Sequence, residues 1–228
     1  MTVPYRLHFA PDNASLCIRL ALLELGLPYE TVLVDRGQQG QRSAGYLALN
    51  PNGLIPTLET PDGPIFETAA ILLWLADRHG GLMAGPDAPQ RGADLKWLFW
   101  LSNTLHPALR MLFYPEKHDP RNPDSLHAAS CTRITGILDV LSAATDADWL
   151  DRDAASAHGC YLAPMLRWPA LYGGTTDWFD LTRWPRLVDF AHRVETRPAS
   201  VAAAQAEGLG PTPFSAPRAP NPPEGSAT

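Results

Sequence analysis

The sequence predicts an α/β domain followed by an all-helical one. Three observations carry that prediction: strand-type alternation and helical spacing interleave over residues 1–80, a glycine- and proline-rich stretch interrupts them, and strand signals almost vanish afterwards. The expected organisation is an α/β domain at 1–80, a linker at 81–92, a helical domain at 93–210 and a flexible proline-rich tail at 211–228.

Tyr5, Leu7 and Phe9 alternate with Arg6 and His8, the period-two pattern of a strand with one buried face. A turn follows at Pro11-Asp12-Asn13. From Ala14 onward Leu16, Leu20, Leu23 and Leu27 recur at helical spacing, and Gly26 and Pro28 supply the stop. Residues 29–34 read as a second strand, and a strand-helix-strand unit of this length closes as a right-handed parallel crossover. Residues 36–46 are polar and glycine-rich, so a loop with at most a short helix is expected. Residues 57–60 and 65–66 flank Pro61-Asp62-Gly63, which suits a tight hairpin turn, and should pair antiparallel. Thr68 opens an apolar helix with Arg78 and His79 in its last turn and Gly80-Gly81 beyond it.

After the linker, residues 94–113 are apolar nearly all round, as in a central buried helix, and Pro107 should kink it. Residues 124–144 give another helix with Leu126, Ile134, Ile137, Leu138 and Leu141 inward. Further helices are expected at 157–167, 185–195 and 199–206. From Pro211 the tail carries too little apolar surface to order itself and should lie loose.

A net charge of −6 gives no electrostatic reason to bind nucleic acid or an anionic membrane. No stretch reaches the ~18–20 apolar residues of a membrane span. Residues 1–10 show no basic segment followed by an apolar run, so a cytoplasmic location and small-molecule partners are expected. Cys17, Cys131 and Cys160 are odd in number and widely spaced, which suggests neither a disulfide framework nor a zinc site. The seven histidines form no His-x-x-x-His pair, and no metal is expected.

The most informative segment is Asn50-Pro51-Asn52-Gly53-Leu54-Ile55-Pro56-Thr57-Leu58, followed by Phe66-Glu67-Thr68-Ala69-Ala70-Ile71-Leu72. Taken alone, Pro56 is a proline at a strand's first position, where its missing N–H does little harm. A cis Ile55-Pro56 bond would instead expose the Ile55 N–H and C=O to an extended peptide-like ligand. Thr68 at a helix start offers a hydroxyl, free N–H groups and the positive dipole end to a carboxylate. Glu67 beside it suits an ammonium group. A ligand carrying both groups on one carbon, joined to an extended peptide, fits this pair.

This pattern, Asn-Pro-x-Gly-x-(Val/Ile)-Pro-x-Leu with a downstream Glu-Ser/Thr, resembles the glutathione site of glutathione S-transferases, and the resemblance extends over residues 5–210. It implies a thioredoxin-like first domain, an all-α second domain, glutathione as co-substrate and a homodimer. Ile55 and Pro56 would pair with the cysteinyl backbone of glutathione, and Glu67 with Thr68 would hold its γ-glutamyl end. The implied reaction is attack of the glutathione thiolate on a small hydrophobic electrophile.

The sulfur-contacting residue is less directly marked. Family members keep a Tyr, Ser or Cys in the turn before the first helix, and the bacterial beta class, which this segment resembles in spacing, would have a cysteine at Ala14. Ser15 and Asn13 are the candidates here, with helix capping as the alternative for both. Lowering a thiol pKa by ~2 units takes about 3 kcal/mol, within reach of a helix terminus and one or two hydrogen bonds. By the same resemblance Asn103 and His106 face the thiol, although a lone histidine on an apolar helix is often structural. Tyr114 is a candidate for the electrophile pocket, with a core aromatic as the alternative. Pro107 stands where the beta class has a lysine. Ser156-Ala-His-Gly159 lacks the carboxylate that completes a capping box, and Pro164 should bend the helix that follows. Two other readings share the fold. One is a glutathione-dependent reductase or peroxidase, which Ala14 opposes. The other is a noncatalytic glutathione-binding module.

Overall fold

The computed structural model describes residues 5–227; residues 1–4 of the expected first domain and Thr228 of the expected tail lie outside it. Strand β1 (Tyr5–Phe9) buries Tyr5, Leu7 and Phe9 as its alternation requires. His8, on the other face, is covered too: its ring lies 5.7 Å from that of Tyr46, and its Nε2 is 2.7 Å from Glu59 Oε1. Helix α1 (Ser15–Glu24) leads to β2 (Tyr29–Leu33), which pairs parallel with β1. The next segment forms one tight turn at Gly40–Arg42 and a short helix α2 (Ala44–Leu49), capped by the Ser43 hydroxyl, which accepts from Tyr46 N–H. Strands β3 (Thr57–Thr60) and β4 (Gly63–Phe66) form the expected hairpin, and β3 lies antiparallel to β1. The sheet order is therefore β2-β1-β3-β4, with α3 (Thr68–His79) following.

The second half is helical, with no strand among its described residues: α4 (Arg91–Trp100), α5 (His106–Phe113), α6 (Pro115–His118), α7 (Pro123–Ala143), α8 (Ala157–Arg167), α9 (Pro185–Glu195) and α10 (Pro198–Glu207). Every residue of α8 is buried, so α8 is the central element, and it packs against α1 and α3 of the first half. Ser156 still caps it by accepting from Gly159 N–H at 2.9 Å, and the helix runs unbroken through Pro164.

Two features differ from the sequence expectation. The single helix at 94–113 is divided by a π turn at Leu101–Leu105, where the His106 N–H reaches back to Leu101 O. Pro107 has no N–H for the carbonyl four residues back, and its ring crowds that carbonyl, so the ladder widens just ahead of it. The tail is not loose. Phe214 is fully buried, Glu195 accepts from the backbone N–H groups of Phe214 and Ser215 at 3.3 and 3.0 Å, and Arg167 donates to the carbonyls of Pro213 and Arg218 at 3.0 and 2.7 Å. Buried charged side chains thus satisfy the tail's backbone, a route to order that apolar content does not reveal. Gly208 makes the return possible: it is left-handed (φ 64°) at the end of α10, and a Cβ there would stand 2.0 Å from Asn221 O.

Candidate active site

A cavity of about 500 Å³ opens between the two halves. One wall comes from the first half. Asn13 and Ala14 bring the start of α1 to it, and that helix has no side-chain cap: Ala14 cannot cap, and the Asn13 oxygen accepts from the adjacent Ala14 N–H at 2.8 Å. Leu16 and Cys17 N–H donate to the Asn13 and Ala14 carbonyls at 2.8 and 3.2 Å, so the start of α1 brings its positive dipole end to the cavity wall with backbone bonds but no side-chain cap. Leu54, Ile55 and Pro56 form the next part of the wall. The Ile55-Pro56 bond is cis. The Leu54 carbonyl is held by the Asn50 amide at 2.7 Å and the Tyr46 hydroxyl at 2.6 Å, which fixes the backbone just before Ile55. Glu67 and Thr68 complete the wall at the start of α3. Glu67 has φ 72° and ψ 115°, a costly conformation for a residue with a side chain, and it ends β4 so that the α3 terminus points inward.

The other wall is built from helical side chains: Ser102, His106, Arg110, Tyr161, Trp168 and Tyr172 among them. His106 Nδ1 lies 2.8 Å from the Tyr161 hydroxyl. Burial, reinforced by the nearby Arg110 charge, lowers the His106 pKa to about 4, so its ring is neutral at neutral pH. Burial raises the Tyr161 hydroxyl well above the ordinary phenol value, so it remains protonated. At the mouth, Arg36 donates to the Tyr114 hydroxyl at 2.9 Å and to the Ala227 carbonyl at 2.6 Å, which brings the tail to the cavity rim.

The expected site residues thus fall into two groups. Asn13, Ile55, Pro56, Glu67, Thr68, His106 and Tyr114 all line the one cavity. Ser15 and Asn103 do not. Ser15 is fully buried, donating to Ala10 O at 3.1 Å and accepting from Ala10 N–H at 3.3 Å, so its hydroxyl ties down the turn behind the cavity. Asn103 is exposed, because the π turn rotates it away and brings Ser102 inward. Arg36 and Arg110 were missed, although an arginine four residues from His106 on an apolar helix was a readable signal. Asp12 was missed as well. It adopts φ 49° and is buried, accepting from Arg167 Nε at 2.8 Å, Trp168 Nε1 at 3.0 Å and the Tyr172 hydroxyl, while its own N–H donates to Glu207 at 2.7 Å. No sequence spacing links position 12 to 167. No cysteine is among the residues that line the cavity, and Cys17 is buried, which raises its thiol pKa well above the ordinary value.

Residues 14–78 match the family model of the glutathione S-transferase N-terminal domain. Glutathione S-transferase GST-4.5 of Xanthomonas campestris is 30% identical over 211 residues, covering 90% of this chain and 99% of that protein. The disulfide-bond oxidoreductase YfcG of Escherichia coli is 29% identical over 214 residues, 90% and 96% of the two chains. A sphingomonad glutathione S-transferase solved in complex with glutathione is 31% identical, superposes with a TM-score of 0.74, and is matched over its whole length by 90% of this chain. The chain belongs to the glutathione S-transferase family. No helix among the described residues is long and apolar enough to cross a membrane.

Proposed function

We propose that the protein is a glutathione transferase that binds glutathione along the first wall and transfers it to a small electrophile held by the second. The observation that carries this reading is the convergence of Ile55-Pro56, Glu67-Thr68 and the uncapped start of α1 on one wall of a single cavity. The α-carboxylate of the γ-glutamyl end meets Thr68 and the terminus of α3, and its ammonium group meets Glu67. The cysteinyl backbone pairs with Ile55. The sulfur then lies at the start of α1, where the helix dipole and the Asn13 amide favour thiolate over thiol, across from neutral His106. The thiol loses its proton to solvent, the thiolate forms a carbon–sulfur bond with the electrophile, and the leaving group departs with the bonding electrons. The protein itself forms no covalent bond. Homodimerisation and a cytoplasmic location belong to the same proposal.

Similarity to YfcG keeps the glutathione-dependent reductase as the second reading. With Ala14 in the turn and Cys17 buried, the exchanging thiols would have to be glutathione's own. Titration of glutathione into wild type and Thr68→Val by calorimetry tests the shared part: saturable binding in wild type, weakened in the variant, is expected, and no heat in wild type would refute it. Turnover of an aryl halide but not of a glutathione-mixed disulfide then selects transferase over reductase.

A further inference from the structure

We infer that the electrophile taken by this site carries an anionic group, a carboxylate or its equivalent on an aromatic body, held by Arg110. This rests on the glutathione reading above and specifies the substrate class of the same cavity. Arg110 lines the cavity one helical turn beyond His106, on the wall away from Glu67 and Thr68. Among the described residues its guanidinium has no hydrogen-bond or ion-pair partner, although it is partly buried and close enough for its charge to act on the His106 ring. A guanidinium drawn out of water without a counter-charge is costly and suits a ligand that supplies one, and its planar fork matches a carboxylate.

The rest of the cavity leaves that charge available. Among the described residues two side-chain carboxylates line it. Asp12 is taken by Arg167, Trp168 and Tyr172. Glu67 lies on the opposite wall, assigned to the ammonium of glutathione. Among the described residues the second cation, Arg36, meets a hydroxyl and a carbonyl and no carboxylate, and it stands ready for the glycyl carboxylate. Phe113, Tyr114, Trp168 and Tyr172 line the same cavity with rings, which fits a flat apolar body bearing the anion.

The test uses two ligands: glutathione joined through sulfur to a dinitrophenyl ring, with and without a ring carboxylate. These are the products of chloride displacement from the corresponding aryl chlorides, so they bind whether or not turnover is fast. Calorimetry on wild type should find the carboxylate conjugate bound about tenfold more tightly, equivalent to about 1.4 kcal/mol. In Arg110→Gln the two affinities should become equal, with free glutathione affinity unchanged, which also certifies that the variant is folded. Equal affinities in wild type, or an undiminished preference in the variant, would overturn the proposal. So would a loss of free glutathione affinity in Arg110→Gln, which would assign the residue to the glycyl carboxylate. If wild type bound neither conjugate nor glutathione itself, the glutathione reading would fail and this proposal with it.

Discussion

The two walls of the cavity differ in what they offer. The first is mostly backbone: a helix start without a side-chain cap, the cis Ile55-Pro56 segment, and a second helix start turned inward by the positive φ of Glu67. The second consists of side chains on helices, namely rings, a neutral histidine and a guanidinium with no partner among the described residues. Backbone donors fixed by a sheet suit a ligand that is always the same peptide, whereas side chains can be exchanged without disturbing the scaffold and suit a variable partner.

The largest effect is expected at the joint between the walls. Arg167 ties Asp12 of the first wall to the tail carbonyls, and it is fully buried. Arg167→Ala strands the Asp12 carboxylate and should cost about 3–5 kcal/mol of stability in urea unfolding. A loss under 1 kcal/mol would mean the walls are not held together there.

Next comes the second wall's histidine. With its pKa depressed from 6.5 to about 4, the folded state resists a proton that the unfolded chain accepts. Stability should therefore be constant above the unfolded value and decline as pH falls from 6.5 towards 4, by up to about 3 kcal/mol. His106→Gln should remove that part of the acid sensitivity, as measured by the difference between urea curves at neutral and acid pH.

On the first wall, Glu67→Gln should weaken glutathione by about tenfold, the loss of one charge-assisted contact worth about 1.5–3 kcal/mol before the remaining amide compensates. Affinity for an uncharged electrophile should not change. An effect of similar size, on stability alone, concerns Ser15. Ser15→Ala loses the two hydrogen bonds to Ala10 and should cost about 1–2 kcal/mol in thermal or urea unfolding, with binding intact.

Much of the first wall was legible because short-range chemistry builds it. The proline entering β3, the hairpin turn and the Glu67-Thr68 pair each act within a few residues. The second wall was less so. Locating Asn103 required its helical phase, and Pro107 altered that phase through a π turn upstream of itself, which propensity does not specify. Ser15 had the right residue type at the right helix start, but its hydroxyl found a nearer partner in Ala10. The tail's order depends on Arg167 and Glu195, both distant in sequence, so a local reading of its composition missed them.

The central claim is that the start of α1 and Asn13, not the Ser15 hydroxyl, stabilise the glutathione thiolate. Thiolate absorbance of bound glutathione against pH tests it in wild type, Asn13→Ala and Ser15→Ala. The account predicts a lowered thiol pKa in wild type and Ser15→Ala, shifted back towards that of free glutathione in Asn13→Ala. A pKa restored by Ser15→Ala and untouched by Asn13→Ala would contradict it.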